Sequence, residues 1–334
     1  MQKFNVGIIG CGAIFPQHAI SIRDIANCDL VAVCDIDKSR AEVNAGYFSC
    51  KHYTDYKEMI ETESLDVLHI CLPHHLHAEV TIYAMSRGIH VLCEKPMSVT
   101  VEEARQMIET AKRNNVHLAV IFQNRYNAGS LMVKEMLESG KLGKILSAKA
   151  SLTWHKSLEY YRESDWRGKW DEAGGGVIIN QAIHTLDLVR WFVDSEVAAV
   201  DASISNRILR EIEVEDSAEG LIKFENGVLA AFQAVSYYGY DAPTEIELYC
   251  ENGTAKLIND KGIVKFNDGE ELIADRDPND EFVYVDGYRD YWGVSHVRQI
   301  GAFYVALEKG ATPEITPEDA LKTQELVCKI YENR

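Results

Sequence analysis

Residues 4–15 read FNVGIIGCGAIF, and the first half of the fold follows from this run. An apolar, strand-like stretch leads directly into Gly10-Cys11-Gly12, and a helical pattern follows. Gly10 allows a tight turn, and Gly12 lets the backbone approach a pyrophosphate. The next helix offers N–H groups and the positive end of its dipole at its N-terminus. Ala13, Ile14 and Phe15 open that helix, with Phe15 standing where the dinucleotide fingerprint has its third glycine. Alone, Gly-x-Gly marks no more than a turn. The next strand, LVAVCDID (30–37), ends in Asp35, about 20 residues on, where a carboxylate holds the adenosine ribose hydroxyls and repels the 2′-phosphate of NADP. Ile36 follows it, and Arg40 nearby keeps NADP open as the lesser alternative to NAD.

Working outward, LDVLHICL, GIHVLC and VHLAVIF are further apolar runs, separated by helical patterns at 74–86 and 101–113. Strands buried on both faces with helices between them predict a doubly wound parallel sheet of the Rossmann type. Thr100 and Glu103 form a capping box for the helix after the second of these strands. Beyond residue 123 the texture changes. Strands are expected at 144–154, 197–209, 217–236, 244–250 and 254–258, several alternating in polarity, with Glu225-Asn226-Gly227 and Glu251-Asn252-Gly253 as turns. This predicts an open, mainly antiparallel sheet. Helices are expected at about 127–138 and 176–193, and a last one runs from Thr316-Pro317 to the C-terminus. The reading is an α/β chain with a dinucleotide-binding Rossmann domain over 1–122 and an α+β domain over 123–334.

At 334 residues the chain is long enough for two domains with their own cores. Against 34 basic residues stand 52 acidic ones, a net charge of −18, which argues against nucleic acid or an anionic membrane as partner. No apolar stretch is long enough to span a bilayer, and MQKFNVGIIG lacks the layout of a signal peptide. The eight cysteines contain no C-x-x-C pair, and Cys34, Cys71 and Cys93 fall within apolar runs. Reduced, buried thiols in a cytoplasmic protein are expected, without a disulfide framework or structural zinc.

Strand C-termini in such sheets face the ligand crevice. Leu72-Pro73 ends one strand, and His74, His75 and His77 follow. Their spacing is not that of a zinc site; they are expected to line the cofactor crevice or to face solvent as first-turn residues. GIHVLCEKP puts Glu94-Lys95-Pro96 at the next tip. The pair reads as a surface charge pair before a bent loop, or as a lysine that stabilises negative charge on a substrate oxygen beside a nicotinamide.

Together Gly10-x-Gly12 with His18, Pro73 with His77, Glu94-Lys95-Pro96, and Gly174-Gly175-Gly176 followed by His184-x-x-Asp187 resemble the glucose–fructose oxidoreductase / inositol dehydrogenase / rhizopine catabolism (Gfo/Idh/MocA) family over essentially the whole chain, the stretch from His296 through Gly310 to Thr316-Pro317 included. The resemblance implies an NAD(P)-dependent oxidoreductase, with NAD preferred, acting on a hydroxyl-bearing carbon of a sugar, sugar derivative or cyclitol. It implies catalytic roles for Lys95 and for His184 as proton acceptor or donor, the substrate lying between Lys95 and the second-domain face that carries Asn180 and His184. A neutral imidazole suits the loss of a hydroxyl proton near pH 7; by residue type alone, His184 equally reads as a core histidine.

Many family members have an aspartate where this sequence has Asn180. An amide cannot supply the charge that would raise the histidine's pKa, so Asn180 is expected at a substrate hydroxyl, with Asp187 compensating or structural. Gln123, Arg125, Trp166 and Arg167 are expected to line the nicotinamide or substrate pocket, Arg125 on the substrate side. Trp166 and Trp170 read equally as packing residues; Tyr160, Tyr161 and His155 are further, weaker candidates. No metal is expected. In this family the exposed face of the second sheet is commonly buried by dimerisation, so the resemblance implies a homodimer or homotetramer. Two alternatives share the motifs: a glycosidase using transient oxidation by bound NAD, and a catalytically silent sensor of dinucleotide or sugar.

Overall fold

The computed structural model describes residues 3–276 and 295–332. The chain divides into two units, Met1–Ile121 with His296–Leu321, and Phe122–Ser295 with Lys322–Arg334.

In the first unit, strands β1 (Phe4–Ile9), β2 (Cys28–Cys34), β3 (Lys51–Tyr53), β4 (Val67–Ile70), β5 (His90–Cys93) and β6 (Leu118–Val120) form one sheet in the order β3-β2-β1-β4-β5-β6. Every pairing is parallel. Helices α1 (Phe15–Asp24), α2 (Lys38–Phe48), α3 (Tyr56–Thr62), α4 (His77–Met85) and α5 (Val101–Asn114) make the crossovers. This is the doubly wound dinucleotide order, whose reversal between β1 and β4 opens a crevice at the strand C-termini. β4 is buried at every position, which explains its unbroken apolar run. The expected capping box is present at α5: Thr100 accepts from Glu103 N–H, and Glu103 accepts from Thr100 N–H. The short edge strand β3 was not expected from sequence; Lys-His-Tyr carries no apolar pattern.

The second unit holds α6 (Ala128–Glu138), β7 (Ile145–Thr153), α7 (Leu158–Arg162), α8 (Trp170–Ala173), a π-helical turn at Ile178–Ala182, and α9 (Ile183–Val193). Strands β8 (Val197–Ser205), β9 (Ser217–Phe224), β10 (Leu229–Val235), β11 (Glu245–Cys250), β12 (Gly253–Ile258), β13 (Lys261–Phe266) and β14 (Glu271–Ala274) follow. With β7 they form one eight-stranded sheet, β14-β13-β12-β11-β7-β10-β9-β8. Only β7 and β10 run parallel, and every other pairing is antiparallel. Helices α6 and α9 cover one face. Among the described residues no helix covers the other face, and register places Leu229 and Tyr249 in one row across it, and Ala231, Leu221, Lys149 and Glu247 in the next.

The division expected at 122/123 needs one correction. Helix α10 (His296–Glu308) belongs with the first unit, although the sequence division placed it in the second. Ile300, Phe303, Tyr304 and Leu307 join the core of Phe4, Val6, Ile8 and Ala19. The spacing of those residues shows that a helix buries one face but does not say against which sheet. The last helix, α11, spans Pro317–Tyr331; residues 333–334 of the expected run to the C-terminus lie outside the described residues.

Candidate active site

The dinucleotide crevice takes its shape from two glycines with different duties. Gly10 has φ +95°, and a Cβ there would stand 2.2 Å from the Cys71 carbonyl oxygen at the end of β4. Only glycine fits. At Gly12 a Cβ would meet no protein atom within 4 Å, so the bare backbone faces open space at the start of α1. The fold itself does not demand glycine there, whereas a pyrophosphate close to the main chain does. Ile14 caps α1 without a side-chain bond, and Pro16 sits in its first turn, where no N–H is required. The Phe15 ring, expected at the cofactor, is fully buried and packs edge-on to Phe48, 5.7 Å between centroids.

Asp35 ties the crevice together. Its Oδ2 accepts from Cys11 N–H at 2.9 Å, and its Oδ1 from Asp37 N–H at 2.9 Å. Arg40 turns toward this acidic pair, 3.4 Å from Asp35 and 3.7 Å from Asp37. A guanidinium so engaged is poorly placed to receive a 2′-phosphate. Ile36 is 95% exposed, an apolar side chain with nothing of the protein to cover it.

At the tip of β5 the structure redirects three expectations. Lys95 is half-buried and its peptide bond to Pro96 is cis. Glu94 points inward and is not a crevice residue: Oε1 accepts from His18 Nε2 at 3.0 Å and His296 Nε2 at 3.1 Å, and Oε2 from Lys95 N–H at 3.1 Å. Burial pushes its pKa up, but the two imidazoles outweigh that and hold it well below the usual carboxylate value. His77 is likewise fully buried, with Nδ1 2.7 Å from the Pro96 carbonyl and Nε2 2.8 Å from the Leu72 carbonyl. Burial holds its pKa below the ordinary value, so the neutral ring carries one proton for the two carbonyls. His77 thus lies between the Lys95 loop and the residue after β4, donating to one of the two carbonyls. His74 is buried beside it, 5.9 Å between centroids, and His75, Leu72 and Pro73 are half-buried. The three ligand atoms of His18, Glu94 and His296 lie within 4.8 Å of one another. The hydrogen bonds account for that convergence without an ion.

In the second unit the glycine run is explained by close approach. A Cβ on Gly176 would stand 1.9 Å from the Glu215 carbonyl oxygen, and one on Gly175 would stand 2.0 Å from the Tyr331 hydroxyl. Glu215, which the sequence reading missed, is fully buried and caps the turn. It accepts from Gly176 N–H at 2.8 Å, Ile178 N–H at 3.0 Å and the Tyr331 hydroxyl at 2.9 Å. Burial pushes its pKa up to about 7 despite these donors. The first turn is π-helical, not α-helical as expected, and such turns often mark functional sites. Asn180 lies within it and donates to the Tyr160 hydroxyl at 3.2 Å; Gln181 donates to the same oxygen at 3.3 Å. His184 follows in the first turn of α9, half-buried, with the Phe122 ring 6.0 Å away.

Arg125 is corrected from a substrate-binding residue to a structural one. Its Nε and Nη2 donate to both oxygens of Asp187 at 2.7 and 2.6 Å, and Thr323 donates to Asp187 at 2.6 Å. The pair is nearly inaccessible, 6% and 1% exposed. Burial would raise the Asp187 pKa, but the Arg125 charge prevails and lowers it. Asp187 is thus committed to Arg125 and does not stand in for the family's aspartate. Gln123 is buried in the same 3₁₀ turn. Arg167 lies 4.6 Å over the Tyr160 ring and 5.2 Å from that of Trp166, and its buried Nε has no hydrogen-bond acceptor among the described residues. Trp170 is a packing residue, donating to the Glu213 carbonyl at 3.0 Å and meeting Tyr331 edge-on. Tyr161 is buried, and His155 is an exposed loop residue bonded to the Tyr238 carbonyl.

Residues 4–122 match the model of an oxidoreductase family with an NAD-binding Rossmann fold, and residues 130–256 match the GFO/IDH/MocA C-terminal domain. The D-glucoside 3-dehydrogenase of Escherichia coli is 31% identical over 68% of each chain. The myo-inositol 2-dehydrogenase of Thermotoga maritima is 27% identical over 94% of this chain and 91% of its own. Among solved structures, the WlbA dehydrogenase from Bordetella pertussis in complex with NADH and UDP-GlcNAcA superposes with a TM-score of 0.87, at 26% identity, covering 99% of this chain and 95% of that one. The chain belongs to the Gfo/Idh/MocA family of oxidoreductases. It is an NAD(P)-dependent oxidoreductase with an NAD-binding Rossmann domain.

Proposed function

We propose that this protein is an NAD-dependent dehydrogenase or reductase of a sugar, sugar derivative or cyclitol, with the first unit holding the dinucleotide and the second the substrate. The observation that carries the cofactor half is Asp35: its carboxylate is locked to the Gly10–Gly12 loop, and Arg40 is turned toward it. Gly12, the N-terminus of α1, Asp35 and the exposed Ile36 fit a dinucleotide. When bound, the nicotinamide accepts or donates the hydride. The protein's own residues do the rest. Lys95 binds the substrate oxygen and stabilises negative charge on it. His184 takes the hydroxyl proton during oxidation and returns it during reduction. Asn180, an amide held by Tyr160, orients a substrate hydroxyl and leaves His184 without a charged partner at that position.

The relatives described above are named dehydrogenases, one of a glucoside and one of an inositol, which supports a polyhydroxylated substrate and favours net oxidation over the glycosidase and sensor alternatives. The open sheet face with Leu221, Leu229 and Tyr249 supports a homodimer or homotetramer. No helix among the described residues is long and apolar enough to cross a membrane, and cytoplasmic residence is part of the proposal. The test is reduced-nicotinamide absorbance against a panel of sugars, sugar nucleotides and cyclitols with NAD and NADP in parallel. Turnover of a polyol with NAD is expected; turnover confined to NADP, or none across the panel with tight NAD binding, would overturn the reading.

A further inference from the structure

We propose that His18, His69, His296 and Tyr304 are positioning residues, a one-way chain of buried hydrogen bonds that fixes the Glu94 carboxylate and, through it, the main chain from which Lys95 projects. The proposal rests on the role given to Lys95 above.

The direction of the chain follows from which atoms can donate. An ionised carboxylate only accepts, so the Nε2 atoms of His18 and His296, 3.0 and 3.1 Å from Glu94 Oε1, must both carry protons. A neutral His18 ring then has its lone pair on Nδ1, which faces His69 Nδ1 at 2.8 Å. His69 must therefore carry its proton on Nδ1, leaving Nε2 to accept from the Tyr304 hydroxyl at 2.9 Å. In the His18 and His69 rings each nitrogen has one role, and no donor meets a donor. Burial lowers the pKa of both His18 and His69, which keeps the rings neutral and the order intact. The chain ends at Glu94 Oε2, which receives Lys95 N–H.

Each side chain in the set is nearly or fully buried, and they come from four separate elements: His18 from α1, His69 from β4, Glu94 from the tip of β5, and His296 and Tyr304 from α10. Apolar side chains would fill such positions without any polar group to satisfy, and a partly satisfied buried network is costlier than an apolar core. A fully satisfied network rigidifies what it holds, and here it holds the residue next to Lys95. His77 lies against the same loop at the Pro96 carbonyl. The arrangement also gives α10 a purpose in the first unit: it supplies both one donor to Glu94 and the head of the chain.

Two experiments test it. The first is ¹⁵N-histidine NMR of the intact protein, which reads the tautomer of each ring. The chain requires Nε2–H for His18 and His296, Nδ1–H for His69, and His18 and His69 neutral at pH 7. A protonated His18, a reversed His69 or stoichiometric metal on this cluster overturns it, and this readout needs no variant to fold.

The second compares His296→Leu with His296→Gln, whose amide N–H reaches about as far as Nε2. Misplacing a catalytic group by about 1 Å costs on the order of 100-fold in rate, so His296→Leu should lower kcat by about 10- to 100-fold with NADH affinity within about twofold of the parent. His296→Gln should recover most of the loss. Parent-level kcat in His296→Leu, or a loss that Gln does not relieve, overturns the proposal. Lys95→Met turning over at the parent's rate would instead sink the reading beneath it, while the tautomer pattern would stand unaffected.

Discussion

Asp35→Ala should damage the dinucleotide crevice in two separable ways. In the free protein it removes the acceptor of Cys11 N–H, a buried donor 2.9 Å from Oδ2, and the acceptor of Asp37 N–H. A buried donor left unsatisfied costs about 1–3 kcal/mol, whereas the Asp37 amide is part-buried and water can replace its partner. The unfolding free energy should fall by about 1–3 kcal/mol in urea titration. In the complex the variant also loses charge-assisted bonds to the ribose hydroxyls, worth about 1.5–3 kcal/mol, or about 10- to 100-fold in the dissociation constant of NADH. NADPH loses no such bond and is relieved of repulsion, so the ratio of the two constants should move toward unity by at least that factor. Fluorescence titration with both nucleotides separates the effects. NADH affinity within twofold of the parent would refute the assignment, even if stability fell as expected.

Further outcomes follow from the second unit and the thiols. Asp187→Ala leaves Arg125 charged and buried, and should cost about 3–5 kcal/mol in urea unfolding; a loss under 1 kcal/mol would show that water reaches the pair. Burial raises the folded pKa of Glu215 from the ordinary carboxylate value of 4.5 to about 7, so the folded state binds the extra proton and the group's contribution falls as pH rises through that range. Glu215→Gln has no such titration, and its stability relative to the parent should improve by about 2.4 kcal/mol between pH 5 and pH 7.5, read as the difference between unfolding curves at the two values; a constant difference would mean that the carboxylate titrates normally. Burial pushes the thiols of Cys11, Cys28 and Cys34 up to about 12, so a thiol reagent at pH 8 should leave them unmodified in the native protein, and prompt labelling would contradict their burial.

What the sequence disclosed, and what it did not, divides along a physical line. Local information was enough for the tight turn at Gly10, the position of Asp35 just after its strand and the capping box at Thr100, because each needs only its neighbours or a strand's length of context. Apolar runs gave the parallel sheet, but β3 had no such run to read. The misplaced roles belong to side chains whose partners are far along the chain. Arg125 finds Asp187 62 residues away, and Glu94 finds His296 202 residues away. A charged residue at a strand tip looks the same in sequence whether it faces a ligand or a buried histidine. Glu215 left one trace, a carboxylate flanked by Val214 and Asp216 at the entrance to β9. Its function is visible only once Gly176 is seen to touch its carbonyl.

The central claim is that the Lys95 ammonium acts on the substrate oxygen during hydride transfer. Single-turnover stopped flow with saturating NAD and a panel-identified substrate, comparing the parent with Lys95→Met, tests it without interference from product release. The account predicts that the hydride-transfer rate falls by at least about 100-fold while NADH affinity stays within about twofold, the size of effect that removal of one preorganised charge-stabilising donor produces. A variant that transfers hydride at the parent's rate would contradict it.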